Sequence, residues 1–183
     1  MSLKGMQKIR EKISVQTLAG IGFVLVLGTL SHFFYAWSGE NRLVGIFTAV
    51  NESTWEHLKL LFFPALLFWV LEWIFGKKKP NFLWSVSLGL LAGTAAIVVS
   101  FYTYSGVLGK NFLVADILTF VVGVLVAFAV KNRAEKCSPS AVTRRGGAVL
   151  FCILLLCYLL FTVFPPHIGL FLDPNTGTYG FPA

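Results

Sequence analysis

Apolar residues run along this chain in five long blocks, and polar residues gather mainly between them. Crossing a bilayer takes roughly 20 apolar residues in one helix. The blocks therefore predict spanning helices over about 17–38, 52–76, 81–105, 112–131 and 148–164. The punctuation fits. Asn51 or Ser53 can cap the second helix, and Glu52 and Glu56 suit its positive N-terminal end. Pro64 lies inside that helix, frees the carbonyl of Leu60 and predicts a kink. Lys77-Lys78-Lys79-Pro80 ends it, and Pro165-Pro166 ends the fifth. Between the first two spans, 39–50 is short and turns apolar at Ile46-Phe47-Thr48-Ala49-Val50. It reads as a segment re-entering the membrane edge, where irregular backbone survives only buried in protein or lining a cavity.

Other features refine this outline. Gly89, Ala92, Gly93 and Ala96 form overlapping small-xxx-small patterns on the third helix, suited to close approach by another helix. Trp55, Trp69 and Trp73 read as belt and lipid-facing residues. The polar stretch 132–147 is the longest loop. The tail 165–183 is turn-rich yet aromatic, and is expected to fold back over the bundle's outer face.

Composition fixes the class. The chain is 56% hydrophobic and 13% charged, where a soluble domain averages about 25% charged, and its mean hydropathy is +0.77. Such a chain cannot cover a water-facing surface. The expected fold is all-α, a single transmembrane domain over 1–183 with five helices and the lipid bilayer as its surroundings. Cys137, Cys152 and Cys157 form no CxxC and imply no disulfide framework. The first apolar run shows no small-residue cleavage site and reads as a span, not a signal peptide.

The net charge of +7 sits at helix ends, so it speaks for topology and against nucleic-acid binding. With the N-terminus inside, twelve Lys and Arg fall on inner segments and three (Arg42, Lys59, Lys110) on outer ones. The positive-inside rule then puts the C-terminus outside. Residues 1–16 are a basic cytoplasmic segment in which Met6, Ile9 and Ile13 fall at helical spacing, a pattern able to lie on anionic lipid. All three histidines and five of the eight carboxylates fall on the outer side.

The stretch Val50-Asn51-Glu52-Ser53-Thr54-Trp55-Glu56-His57-Leu58-Lys59 carries ionisable groups to a membrane edge. Charge there is costly and marks a functional site by default. His32, His57, Asp116 and His167 come from four elements and are candidate metal ligands, with zinc the candidate ion. Glu52, Glu56 and Ser53 are candidate catalytic groups, a carboxylate serving as general base. Lys59, Tyr35 and Tyr102 are candidate substrate contacts. Each has a structural alternative: a Ser53 cap, an i, i+3 pair of Glu56 with Lys59, a packing histidine at 57, Asp116 facing its helix dipole, a turn residue at 167. Glu72 is expected to pair with the lysines at 77–79.

Two resemblances add to this. The segments Ser31-His32-Phe33-Phe34-Tyr35, Val50 to Lys59 and Asp173-Pro174-Asn175-Thr176-Gly177-Thr178-Tyr179-Gly180 resemble a family of small uncharacterised membrane proteins of Gram-positive bacteria, which implies a bacterial plasma membrane and no known activity. Ser53-xxx-His57, with Asp116 and His167 later, is similar to the membrane hydrolases that include alkaline ceramidases and progestin/adiponectin receptors. That likeness implies zinc and hydrolysis, although those proteins have seven helices and a closing HxxxH that this chain lacks. Three functions follow: a metal-dependent hydrolase of a lipid or lipid-linked substrate, a subunit that binds or transports a small solute as in vitamin importers with Gly89, Ala92, Gly93 and Ala96 as its docking face, or a structural or regulatory membrane protein. No protein partner is assigned.

Overall fold

The computed structural model describes residues 14–76 and 79–182. The basic segment before Ser14, Lys77 and Lys78 lie outside the described residues. The chain is all-helical, with α1 Val15–Trp37, α2 Arg42–Phe47, α3 Thr54–Phe75, α4 Phe82–Leu108, α5 Leu113–Ala134 and α6 Ala141–Val163. Five of these are long and apolar enough to cross a membrane, all but the six-residue α2.

Two boundaries differ from the sequence reading for local reasons. Ser140 accepts the N–H of Thr143, and the Thr143 hydroxyl accepts the N–H of Ser140, closing a capping box. That box starts α6 seven residues before 148 and draws Arg144 and Arg145 into its first turns. Within 39–50, Asn41 accepts the N–H of Leu43 and caps α2. Gly39 and Glu40, at φ 68° and 61°, turn the chain out of α1 and into it.

Pro64 leaves α3 continuous. The carbonyl of Leu60, which has lost its usual donor to the proline, meets the backbone of Gly28, where a Cβ would collide with it. The missing side chain at 28 thus seats α1 on α3. Likewise α4 packs most closely on α5. A Cβ on Gly93 would stand 2.6 Å from Cβ of Ala127 and 2.8 Å from the carbonyl of Gly123. The small-residue stripe is therefore consumed inside the bundle, and Gly89 and Gly93 are not free to dock a partner. Trp69 also departs from expectation. It is fully buried in the core with Val24, Leu61, Phe62, Leu90 and Phe128, while Trp73 stays 39% exposed. Trp55 stacks on Tyr158 at 4.7 Å instead of facing lipid.

The tail returns over the end of the bundle that holds α2 and the start of α3. The Trp55 N–H donates to the carbonyl of Leu170 at 2.9 Å. Phe171 is buried against Trp55, and Phe181 packs on Tyr35. At the opposite end Glu72 pairs with Lys131 at 2.8 Å and Lys79 at 3.7 Å, and Glu135 pairs with the same two lysines at 2.8 and 2.5 Å. Glu72 thus meets Lys79, as expected, and Lys131, which was not.

The α4–α5 contact can be tested by overpacking. Gly93→Leu should destabilise the protein by about 1–3 kcal/mol, read as an earlier thermal unfolding transition in detergent. Gly22→Ala, whose Cβ meets nothing within 4 Å, should be neutral or slightly stabilising.

Candidate metal centre

The site is built on a buried ion pair. Glu56 and Lys59 lie one turn apart on α3, both essentially inaccessible, with Nζ 2.6 Å from the Glu56 carboxylate. Lys59 also donates to the carbonyls of Gly45 at 2.9 Å and Thr48 at 3.1 Å. The Glu56 carboxylate accepts the N–H of Val50 at 3.1 Å. The pair therefore satisfies the irregular backbone of 45–50, which is buried at Gly45 and at Thr48, Ala49 and Val50. All three Lys59 donors are engaged, so this residue faces no ligand, and Glu56 is held in the pair.

From that anchored loop the chain passes through Asn51 and Glu52 to Ser53. Asn51 accepts the N–H of Ser53 at 2.9 Å and donates to the carbonyl of Gly180 at 2.7 Å, which ties loop to tail. Ser53 caps α3 through its hydroxyl. Its carbonyl faces Nδ1 of His57 at 2.9 Å. A carbonyl only accepts, so Nδ1 donates its proton there, and Nε2 is the ring nitrogen turned toward the cluster.

That Nε2 meets two further ligand atoms. It is 3.2 Å from Nε2 of His32, which α1 supplies from its last turns, and 3.4 Å from Oε2 of Glu52. His32 and Glu52 stand 3.7 Å apart. Among the described residues, His32, Glu52 and His57 are the one group of metal-ligating type with its atoms clustered in this way. Ligands at about 2.0–2.2 Å in a zinc tetrahedron lie about 3.3–3.6 Å from one another, and the observed edges of 3.2, 3.4 and 3.7 Å lie close to that range. His32, Glu52 and the backbone around them border a cleft of about 270 Å³, with Tyr35 and Asn51 as further polar walls and Phe33 and Ala36 as apolar ones. The three side chains are 30%, 44% and 33% exposed for His32, Glu52 and His57, so the group can be reached from outside.

The other candidates lie elsewhere. Asp116 accepts from Tyr104 and from Asn111 at the α4–α5 turn. His167 is exposed and stacks on Tyr179 at 4.4 Å. Neither belongs to the His32–Glu52–His57 group. Tyr102 lies 3.5 Å from the Thr54 hydroxyl and does not line the cleft. Sequence reading placed Glu52 as a base and did not see it as a ligand, because only the return of 39–50 brings it over His57. Asn51 was read as a cap, and its bond to Gly180 had no signal in the sequence.

The fold and site define a multi-pass helical membrane protein, by the length and composition of its helices, with a compact His/His/Glu cluster at one end. The chain belongs to DUF6512, a family of unknown function whose match covers residues 5–181. No curated protein and no solved structure matches it.

The ion pair yields a prediction. Lys59→Met strands a buried carboxylate and two carbonyls, and should cost about 3–5 kcal/mol. Adding Glu56→Gln removes the stranded charge and should recover part of the loss in a thermal unfolding assay.

Proposed function

We propose that this protein binds a divalent metal ion of the zinc class through His32, His57 and Glu52, and that it uses the ion to hydrolyse a lipid or lipid-linked substrate entering by the adjacent cleft. The observation that carries the reading is the triangle of 3.2, 3.4 and 3.7 Å, with His57 oriented by its Nδ1 contact to the Ser53 carbonyl so that Nε2 is its available ligand atom. Three protein ligands and one open vertex are the pattern of catalytic zinc; structural zinc takes four. A bound ion would supply Lewis acidity to an oxygen atom at that vertex. The apolar walls at Phe33 and Ala36 suit an acyl or alkyl group, and Tyr35 and Asn51 offer hydrogen bonds to a polar head. Glu56, engaged with Lys59, supports the fold of the site; Glu52 is the carboxylate within reach of the chemistry.

The site faces the extracytoplasmic side of a bacterial plasma membrane in this proposal, on the strength of the twelve-to-three distribution of basic residues. Cys137 is exposed in the α5–α6 turn. It should react with a membrane-impermeant maleimide only after cells are permeabilised, whereas Thr176→Cys should react in intact cells. The reverse pattern would overturn the orientation.

Metal analysis tests the site. The purified protein, loaded with zinc and desalted, should retain one ion per chain. His32→Ala and His57→Ala should each weaken retention beyond the roughly 10–100-fold that loss of an outer-shell partner costs. Glu72→Gln, at the far end of the bundle, should leave it unchanged. Retention should also fall on acidification, since protons compete for the imidazole lone pairs. Absence of stoichiometric zinc, or equal retention by His57→Ala, would sink the proposal. With zinc retained, failure to cleave fluorogenic lipid esters and amides would remove hydrolysis and leave metal binding.

A further inference from the structure

The tail 165–182 touches each element that supplies a ligand atom to the candidate centre. On α3, two residues before His57, the backbone N–H of Trp55 donates to the carbonyl of Leu170 at 2.9 Å, and its indole lies on Phe171 at 4.7 Å. On α1, three residues after His32, Tyr35 packs on Phe181 with ring centroids 6.0 Å apart. Between α2 and α3, Asn51, the neighbour of Glu52, donates to the carbonyl of Gly180. A mere cover over the bundle would need none of these contacts to fall beside a ligand.

The hold on Glu52 is the most direct. The Glu56–Lys59 pair secures the backbone as far as Val50. Between Val50 and the cap at Ser53 stand Asn51 and Glu52. At 44% exposure Glu52 is not fixed by packing of its own, so the turn that carries it must be. The Asn51 carboxamide does this. Its Oδ1 accepts the N–H of Ser53, closing a turn around Glu52, and its Nδ2 donates to Gly180 at 2.7 Å. Both ends of the amide are engaged, and the tail carbonyl fixes the way it faces.

Phe181 has a fitted seat. Its ring occupies the notch at Gly45, where a Cβ would stand 2.6 Å from Cε1, and the Arg42 guanidinium lies 5.7 Å over its face. The carbonyl of Gly45 is one that Lys59 engages, so tail and ion pair grip the same loop at the same residue. The chain reaches this seat through Gly180, buried at φ 69°, where a side chain would meet the Thr162 carbonyl and Pro165 at 3.2 Å.

We infer that Gly180 and Phe181 are positioning residues of the metal centre: by clamping Asn51, Gly45 and Tyr35 they hold Glu52 and His32 at ligating distance from His57. The inference rests on the metal-binding reading above and adds to it an element 129 positions away from Asn51 in sequence. The clamp acts through other residues and touches no ion.

The full-length protein in detergent tests the clamp by two readouts. Competition with a chromophoric chelator gives the zinc affinity. Hydrogen exchange, without metal, reads the backbone amides of 46–53. Asn51→Ser can still close the turn with Ser53 but is too short to reach Gly180. It and Phe181→Ala should each weaken zinc binding about tenfold, as loss of an outer-shell partner does. Both should speed exchange in 46–53 and leave the α4–α5 contact as protected as in the wild type. Phe181→Leu, which keeps most of the apolar bulk, should recover most of the affinity. Undiminished zinc affinity in Asn51→Ser and Phe181→Ala, a loss in Phe181→Leu as large as in Phe181→Ala, or unchanged exchange in 46–53 would overturn the inference. A wild-type protein that binds no zinc would instead remove the metal reading, and exchange in 46–53 would still decide whether the tail holds the loop.

Discussion

Everything at the candidate metal centre depends on one buried ion pair. Removing two charges from water is expensive, and their mutual attraction offsets this only when their remaining bonding capacity is also satisfied. Glu56 and Lys59 meet that condition by engaging the backbone of the α2 loop: two carbonyls for the ammonium and one amide for the carboxylate. The arrangement works in both directions. An irregular segment at membrane depth needs partners for its peptide groups, and a buried lysine needs acceptors. Each solves the other's problem. The segment so fixed carries Asn51 and Glu52 at its end, and Glu52 is thereby held above two imidazoles. The pair lies outside the cluster, yet it fixes the segment that carries the candidate ligand Glu52.

The helices that supply the imidazoles are positioned by close backbone contact. Gly28 of α1 sits against the Leu60 carbonyl that Pro64 leaves without its donor, one turn before His32. A larger residue at 28 would push α1 off α3 and carry His32 away from His57. On the other side of α3, the Gly93–Ala127 contact draws α4 and α5 together, and the Trp55–Tyr158–Phe62 stack, with centroids 4.7 and 3.9 Å apart, fixes α6 against the start of α3. Close packing of backbone and rings thus sets the spacing of a polar site.

The spans were legible because each is a long apolar block, and a membrane tolerates no other backbone arrangement at that length. The small-residue stripe was legible as a contact, but its partner was not, since Gly89 and Gly93 look the same whether α5 or another protein covers them. The α2 helix was hidden because six residues carry no period to read. The start of α6 was missed because the first turns are polar and only the Ser140–Thr143 box declares them helical. Trp69 looked like a lipid-facing residue by type; its burial follows from facing α4 and α5, which no local pattern encodes. At the site, the Ser53–His57 spacing was readable as i, i+4, and so was the Glu56–Lys59 pairing at i, i+3. The inclusion of Glu52 and the separation of Asp116 and His167 depend on how far each connection reaches, and connection geometry is where a single sequence is least informative.

The two ends of the bundle show how differently charge can be treated within one fold. The ring of Glu72, Lys79, Lys131 and Glu135 alternates sign, so every carboxylate has a cation and every cation a carboxylate. Its evident work is to hold α3 to α5. The His32–Glu52–His57 cluster holds one carboxylate and no permanent cation. The Ser53 carbonyl accepts from Nδ1 of His57 and so turns Nε2 toward Glu52 and His32, at 3.4 and 3.2 Å. Two arrangements satisfy such a convergence: a proton on an imidazole nitrogen, which pairs that ring with Glu52, or a metal ion, which engages all three atoms at once. The proposed function rests on the second, because only an ion gives each of the three edges a reason to be short.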